Sequence, residues 1–291
     1  MSLLAEVSRA ISNATGMPFE ATASDAIEGG CINRAFSLSA GRRRYFVKTH
    51  DAGKLSMFEA EAAGLEALAS AHGVRVPRPL CNGVAAGRAF LVLEYLELLG
   101  RGDAARLGAQ LARQHRVTQD RFGWTRDNTL GSTPQPNAWA DDWLQFWREQ
   151  RLGFQLELAA RNGMGSLQRE GDALLARFGA LFAGYRPRPS LLHGDLWGGN
   201  HGFLADGAPV IFDPAVYFGD RECDLAMTEL FGGFAPDFYA AYREAWPLDA
   251  GYATRRTLYN LYHILNHANL FGGGYAAQAH RMTAQLLAEL R

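Results

Sequence analysis

His193-Gly194-Asp195-Leu196-Trp197-Gly198-Gly199-Asn200, followed thirteen residues later by Asp213 in Val210-Ile211-Phe212-Asp213-Pro214, decides how this chain is read. An Asp and an Asn five positions apart, then an Asp closing a short apolar run, is the polar layout of a phosphoryl-transfer site. One carboxylate, Asp195, can accept the proton of an attacking hydroxyl. The amide oxygen of Asn200 and the carboxylate of Asp213 are oxygen donors suited to magnesium, a hard cation commonly held by one or two such groups plus phosphates. Each residue alone has an ordinary explanation: an Asp in a Gly-rich turn, or an Asp-Pro turn initiator. Their order and spacing are what carry the reading. His193 is expected to brace the loop, and Trp197 either forms a wall for the acceptor or packs in the core. These two are the candidates on the acceptor side.

Working upstream, Tyr45-Phe46-Val47 reads as a strand that ends in Lys48, on the same face as Phe46. The segment from Lys54 to Ala71 is predicted helical, because Phe58, Ala62, Leu65 and Leu68 recur at three- and four-residue steps. A lysine so placed, followed by an acidic helix, suits pairing with α- and β-phosphate oxygens. Its partner is expected to be Glu61, one helical turn before Leu65, with Glu59 solvated. Gly29-Gly30-Cys31-Ile32-Asn33 is read as a hairpin lid whose backbone amides approach phosphates. It is neither a P-loop nor a dinucleotide fingerprint, since no G-K-[ST] and no helix follow. Glu94-Tyr95-Leu96, leaving the last strand of the front part, is the expected connector, with backbone groups available to adenine.

The texture divides the chain. Up to residue 96 short strands, turns and one main helix dominate, after an amphipathic N-terminal helix over Met1 to Thr15; residues 97–291 are mainly helical. Helices are expected over Asp103 to His115, Asn137 to Ala160 and Gly171 to Tyr185, and strands at Cys81 to Gly83 and Ala89 to Leu93. The expected class is therefore α+β, with a small antiparallel-sheet lobe (1–96) and a larger helical lobe (97–291) around a cleft.

Composition narrows the function. Among 291 residues, 29 basic and 30 acidic side chains give a formal charge of −1, without the basic excess usual in nucleic-acid binders. Arg42-Arg43-Arg44 is the one basic knot, expected in a solvated turn. Cys31, Cys81 and Cys223 show no paired spacing, which fits a reducing cytoplasm better than a disulfide framework or zinc site. The longest apolar run, Ala89 to Leu99, is interrupted by Glu94 and Glu97 and is too short to span a bilayer. His263, His267 and His280 are expected to pack in the core or on the cleft wall. Asp224 either caps a helix or braces the catalytic loop.

These segments together resemble the fructosamine kinase (ketosamine 3-kinase) family, within the aminoglycoside phosphotransferase-like branch of the protein-kinase fold. Further matching segments are Met57 to Glu61, Phe90 to Leu96, Gly131-Ser132-Thr133-Pro134-Gln135-Pro136-Asn137, and Leu258 to His267 through Phe271-Gly272-Gly273-Gly274-Tyr275. The resemblance covers nearly the whole chain. It implies ATP- and magnesium-dependent phosphorylation of the sugar 3-hydroxyl of a ketosamine, whose unstable 3-phosphate then sheds the sugar. It also implies Asp195 as base, Asn200 and Asp213 as metal ligands, Lys48 and Glu61 as the phosphate-side pair, and Glu94 to Leu96 as hinge. Arg34-Ala35-Phe36 and Gly199 depart from the common pattern without removing a required side chain. Two rival readings remain: the same fold acting on another alcohol (aminoglycoside, choline, homoserine or thioribose), and a nucleotide-binding module without turnover.

Overall fold

The computed structural model describes residues 2–27 and 33–291. Gly29, Gly30 and Cys31 of the expected lid lie outside the described residues; Asn33, half-buried, lies just before the second strand.

Contacts separate the chain into two compact units, Met1–Asp103 with Gly202–Asp213, and Ala104–His201 with Pro214–Arg291. That residues 97–103 and Gly202–Asp213 go with the first unit is not suggested by sequence texture.

The first unit is built on an antiparallel sheet of β1 (Ala23–Ile27), β2 (Arg34–Ala40), β3 (Arg43–Asp51), β4 (Pro79–Ala85) and β5 (Arg88–Glu94), in the order β1-β2-β3-β5-β4. Two helices accompany it, α1 (Leu3–Thr15) and α2 (Leu55–Ser70). Ser2 caps α1 by accepting from the Ala5 N–H, and Gly16 ends it at φ 68°. Val7 and Ile11 of α1 join Leu38, Val47, Phe90 and Val92 in one apolar cluster. Strand alternation then turns Lys48 to the other face of β3. Ala86 and Gly87, both at positive φ, make the tight β4–β5 turn. The basic knot straddles the expected turn: Arg42 is exposed in it, while Arg43 and the exposed Arg44 already lie in β3. Arg43 donates to the Pro18 carbonyl at 2.6 Å, and the Arg44 guanidinium stands 3.9 Å from the Tyr95 ring centre.

In the second unit, α3 (Ala104–His115) is followed by a hairpin of β6 (Asn128–Leu130) and β7 (Thr133–Gln135). The helix expected from Asn137 starts only at Trp143. The polar groups of Asn137 are already engaged, its N–H by Asp127 and its amide by Arg126, Asn128 and Arg151, while Asp142 supplies the N-cap to Gln145. From there α4 (Trp143–Phe146) passes through a π turn (Trp147–Leu152) into α5 (Gly153–Arg161). The helix expected over Gly171 to Tyr185 is instead α6 (Gly165–Leu175) plus a short 3-10 segment, Phe178–Phe182. Then come β8 (Ser190–Leu192) and, after the chain passes through β9 (His201–Phe203) and β10 (Pro209–Ile211) of the segment that belongs to the first unit, β11 (Tyr217–Gly219). Strands β8 and β11 pair antiparallel, as a separate pair from β9 with β10. Helices α7 (Glu222–Leu230), α8 (Pro236–Ala245), α9 (Tyr252–Phe271) and α10 (Gly274–Glu289) complete the chain. Trp143, Phe146, Trp147, Tyr217, Tyr259 and Tyr262 stand at the centre of this unit's core. No helix among the described residues is long and apolar enough to cross a membrane.

Candidate active site

In the first unit, Lys48 is buried and donates to two carboxylates, Glu61 Oε1 at 2.6 Å and Asp213 Oδ1 at 2.5 Å. Burial alone would favour the neutral amine. The two carboxylates outweigh it and hold Lys48 as an ammonium, its pKa above the usual lysine value. Glu61 is brought to this point by α2, which presents it toward the β3 face opposite α1.

Asp213 follows β10 with φ at 58°, a left-handed backbone in a residue that precedes proline. Proline disfavours helical conformations in its predecessor, and non-glycine residues at positive φ are uncommon, so this position carries backbone strain. Strain of this kind persists where the surroundings fix a side chain for a purpose. Asp213 is the most exposed of the three ionic partners, its side chain 44% accessible against 5% for Lys48 and 11% for Glu61.

At the end of β5, Glu94 is tied back to the preceding loop. Its N–H donates to the Arg78 carbonyl at 2.8 Å, and its carboxylate accepts from Arg75 at 2.7 Å. Tyr95 beneath Arg44 and half-buried Leu96 follow it.

In the second unit, the loop from His193 to Asn200 is held by its own polar groups. The Asn200 carboxamide donates to the Asp195 carbonyl at 2.9 Å and to its carboxylate at 3.3 Å. The Asp195 N–H donates to His193 Nδ1 at 3.2 Å, so His193, fully buried, braces the turn. Gly194 has φ 84°, and a Cβ there would stand 2.1 Å from the Ala215 carbonyl oxygen; only glycine fits. The exposed Trp197 ring rests over Gly199, where a Cβ would come within 2.4 Å of it, and meets Phe231 edge-on at 6.1 Å.

Of the two readings of Asp224, a helix cap or a loop brace, the structure shows the brace; three further contributions, from Gln135, Arg151 and Arg255, were not legible as functional groups in the sequence. Asp224 braces the His193–Asn200 loop, its oxygens accepting from the N–H groups of His193 (2.7 Å) and Gly194 (2.8 Å). Gln135 donates to the Ala215 carbonyl at 3.0 Å and accepts from Tyr262 at 2.8 Å, fixing the chain just past Asp213-Pro214. Arg151 donates to the Pro136 carbonyl and the Asn137 carboxamide, locking the Gln135-Pro136-Asn137 segment from below. Arg255 forms a fully buried pair with Glu222 at 2.8 Å, so the turn Asp220 to Asp224 is an interior structure. His263 and His267 pack within this unit, His267 against Phe231, Phe271 and Tyr275. His280 is instead paired with Glu170 at the surface.

Asn200 in the second unit carries a carboxamide oxygen and Asp213 in the first a carboxylate, each an oxygen donor of the type that suits magnesium. Among the described residues no group of three or more His, Cys, Asp or Glu side chains stands together as a protein cage for a metal.

A buried ammonium between carboxylates, and an Asp–Asn loop braced from behind, define the class: a phosphotransferase with the protein-kinase-like α+β fold. The same fold occurs in an aminoglycoside phosphotransferase bound to gentamicin and in the choline kinase LicA, at TM-scores of 0.62 and 0.64. A family profile described as fructosamine kinase matches residues 3–289, and the chain belongs to that family. It is 49% identical to a "Probable ketoamine kinase" of Synechocystis, over 97% of this chain and 96% of that protein. To the chloroplastic protein-ribulosamine 3-kinase of Arabidopsis thaliana it is 42% identical, over 91% of this chain and 82% of that one. The crystal structure of a "Putative fructosamine-3-kinase" from Haemophilus somnus superposes with a TM-score of 0.90 at 30% identity, covering 97% of this chain and 96% of the other.

Proposed function

We propose that this kinase transfers the γ-phosphoryl group of ATP to the sugar 3-hydroxyl of a ketosamine, the adduct left when a sugar glycates an amine. Loss of the sugar from the unstable 3-phosphate would then free the amine. The observation that carries this reading is the complete set Lys48, Glu61, Asp195, Asn200 and Asp213 in a chain 42% identical to a protein-ribulosamine 3-kinase.

In this reading Lys48, oriented by Glu61, pairs with the α- and β-phosphate oxygens. Asn200 and Asp213 would hold magnesium, which when bound neutralises charge on the phosphates. Asp195 orients the acceptor hydroxyl and receives its proton, the modest help that a loose phosphoryl-transfer transition state requires. Gly29, Gly30, Cys31 and Asn33 are the residues assigned to the phosphates, and Glu94, Tyr95 and Leu96 those assigned to adenine, in a nucleotide-binding lobe spanning residues 1–96. Residues 97–291 supply the catalytic and acceptor groups. Trp197 offers an aromatic wall for a sugar, and His193 holds the loop beneath it. The free thiols of Cys81 and Cys223 support a reducing compartment such as the cytoplasm.

The test is coupled ADP release with a ribulosamine and a fructosamine, against the same amines without the sugar. Ketosamine-dependent release that needs magnesium supports the proposal. Turnover on choline, homoserine, thioribose or an aminoglycoside, with none on ketosamines, would replace the acceptor. Nucleotide binding with no turnover on any alcohol would replace the whole reading by a regulatory one.

A further inference from the structure

The second unit carries an open depression of about 260 Å³, lined by Glu229 near the end of α7, by Gly232 and Gly233, and by Tyr239 and Arg243 of α8. The segment holding the two glycines is fastened to the stretch from His193 to His201 on both of its flanks. Phe231 meets Trp197 edge-on at 6.1 Å, and Phe234 stacks on His201 at 4.2 Å. Gly232 and Gly233 have φ of 93° and 78°, a backbone that side chains adopt only under strain, and a Cβ on Gly232 would meet nothing within 4 Å. Bare backbone therefore faces open space here. Among the described residues, neither glycine N–H has a protein acceptor.

The polar side chains of the lining are not equally available. Both Glu229 oxygens are engaged, Oε1 by the Tyr252 hydroxyl at 2.6 Å and Oε2 by Arg256. The Tyr239 hydroxyl accepts the Phe234 N–H at 2.9 Å and donates to the Thr228 carbonyl at 3.2 Å. Arg243 is exposed; its guanidinium stands 5.8 Å from the Tyr239 ring centre and pairs with no carboxylate among the described residues. One guanidinium and two backbone amides remain, all of them donors. With Glu229 neutralised by Arg256, Arg243 sets the charge of the lining. Such a set takes an anion, and the planar fork of the guanidinium matches a carboxylate.

We infer that this depression binds the carboxylate of a glycated amino acid, which makes ketosamines of free amino acids better acceptors than their uncharged counterparts. The inference rests on the ketosamine reading. The depression belongs to the acceptor side because Phe231 joins it to Trp197, the ring proposed as the wall for the sugar. A lysine within a protein has its carboxyl in a peptide bond and offers no such charge.

The experiment uses the full-length chain and two pairs of acceptors that differ only in charge. These are the Nε-ribulosamine of Nα-acetyl-lysine with its carboxamide, and the ribulosamine of glycine with its carboxamide. Coupled ADP release gives kcat and KM at low and high salt, and Tm checks the fold of each variant. In at least one pair the acid is expected to have a KM about fivefold to tenfold below that of the amide, with kcat within about twofold. High salt should shrink the difference. Arg243→Gln should raise the KM of the acid to that of the amide, and Arg243→Glu should make the acid the poorer acceptor. The inference is overturned if acid and amide share one KM in both pairs, or if Arg243→Gln preserves their difference. A ribulosamine 5-phosphate of an uncharged amine forms a further arm. If Arg243 responds to that phosphate and not to the carboxylate, the anion is on the sugar and the inference falls. Absence of turnover on every ketosamine, acid and amide alike, would instead overturn the ketosamine reading, and the inference with it.

Discussion

Lys48 and Asp213 lie 165 positions apart in the chain and form an ion pair of 2.5 Å. The pair joins the interior of β3, which runs three residues past Lys48 where the sequence suggested that it ends, to a strained residue that follows a separate strand pair. It gives one ammonium two carboxylate neighbours, of which Asp213 is the more exposed and Glu61 the more enclosed. In the proposed reading, phosphate oxygens would compete for the ammonium on its Asp213 side while Glu61 keeps it oriented.

Lys48→Met should therefore damage both activity and folding. Turnover is expected to fall by about 100-fold or more, as for loss of a preorganised electrostatic contact. Stability should drop by about 3 kcal/mol, because Glu61 is left enclosed without its partner. Coupled ADP release and chemical denaturation measure the two effects. Lys48→Arg should recover some stability and little turnover, since a planar guanidinium does not replace a point charge on a short reach.

Asp195→Asn retains the shape of the side chain and removes its ability to take a proton. We expect kcat to fall by about 100- to 10,000-fold with ATP affinity nearly unchanged. Calorimetry of ATP binding beside steady-state rates distinguishes this from a collapsed loop, which would weaken both.

Gly199→Ala drives a methyl group into the Trp197 ring, which stands 2.4 Å from where the Cβ would be. The ring must move. If it forms the acceptor wall, the KM for the ketosamine should rise by about tenfold, roughly the value of one aromatic contact, with the KM for ATP unaffected. Equal KM values for both substrates in variant and wild type would reduce Trp197 to a surface ring.

Acid should destabilise the fold through His263. Burial lowers its pKa from 6.5 to about 3. Between these values the unfolded chain binds a proton that the folded chain refuses, so stability falls as pH drops from about 6.5 toward 3. Above that window the residue contributes no pH dependence. Its share of the slope is at most about 1.4 kcal/mol per pH unit. Urea midpoints taken from pH 7 down to pH 4 should show the decline, and His263→Gln should flatten it by up to one proton.

Much of this was legible in the chain. The three- and four-residue recurrence of Phe58, Ala62, Leu65 and Leu68 locates α2 to within a residue at each end, and with it the preference for Glu61 over Glu59. The helix after Asn137 was not legible. Its apolar pattern is helical, but the polar atoms of Asn137 find partners in Asp127, Asn128 and Arg151, contacts that no local rule contains. The turn at Arg42 was legible, but not that Arg43 and Arg44 would continue as strand beside Pro18, Phe19 and Tyr95.

By itself the sequence determined the chemical inventory: which carboxylates, amide and ammonium exist, and in what order along the chain. It did so because backbone periodicity and side-chain type are local properties. Tertiary structure alone decided that Asp224 holds the amides of His193 and Gly194, and that Lys48 is shared with Asp213. Those are contacts between segments 30 to 165 residues apart. Their geometry is fixed by which helices and strands pack together, and no spacing rule reaches that far.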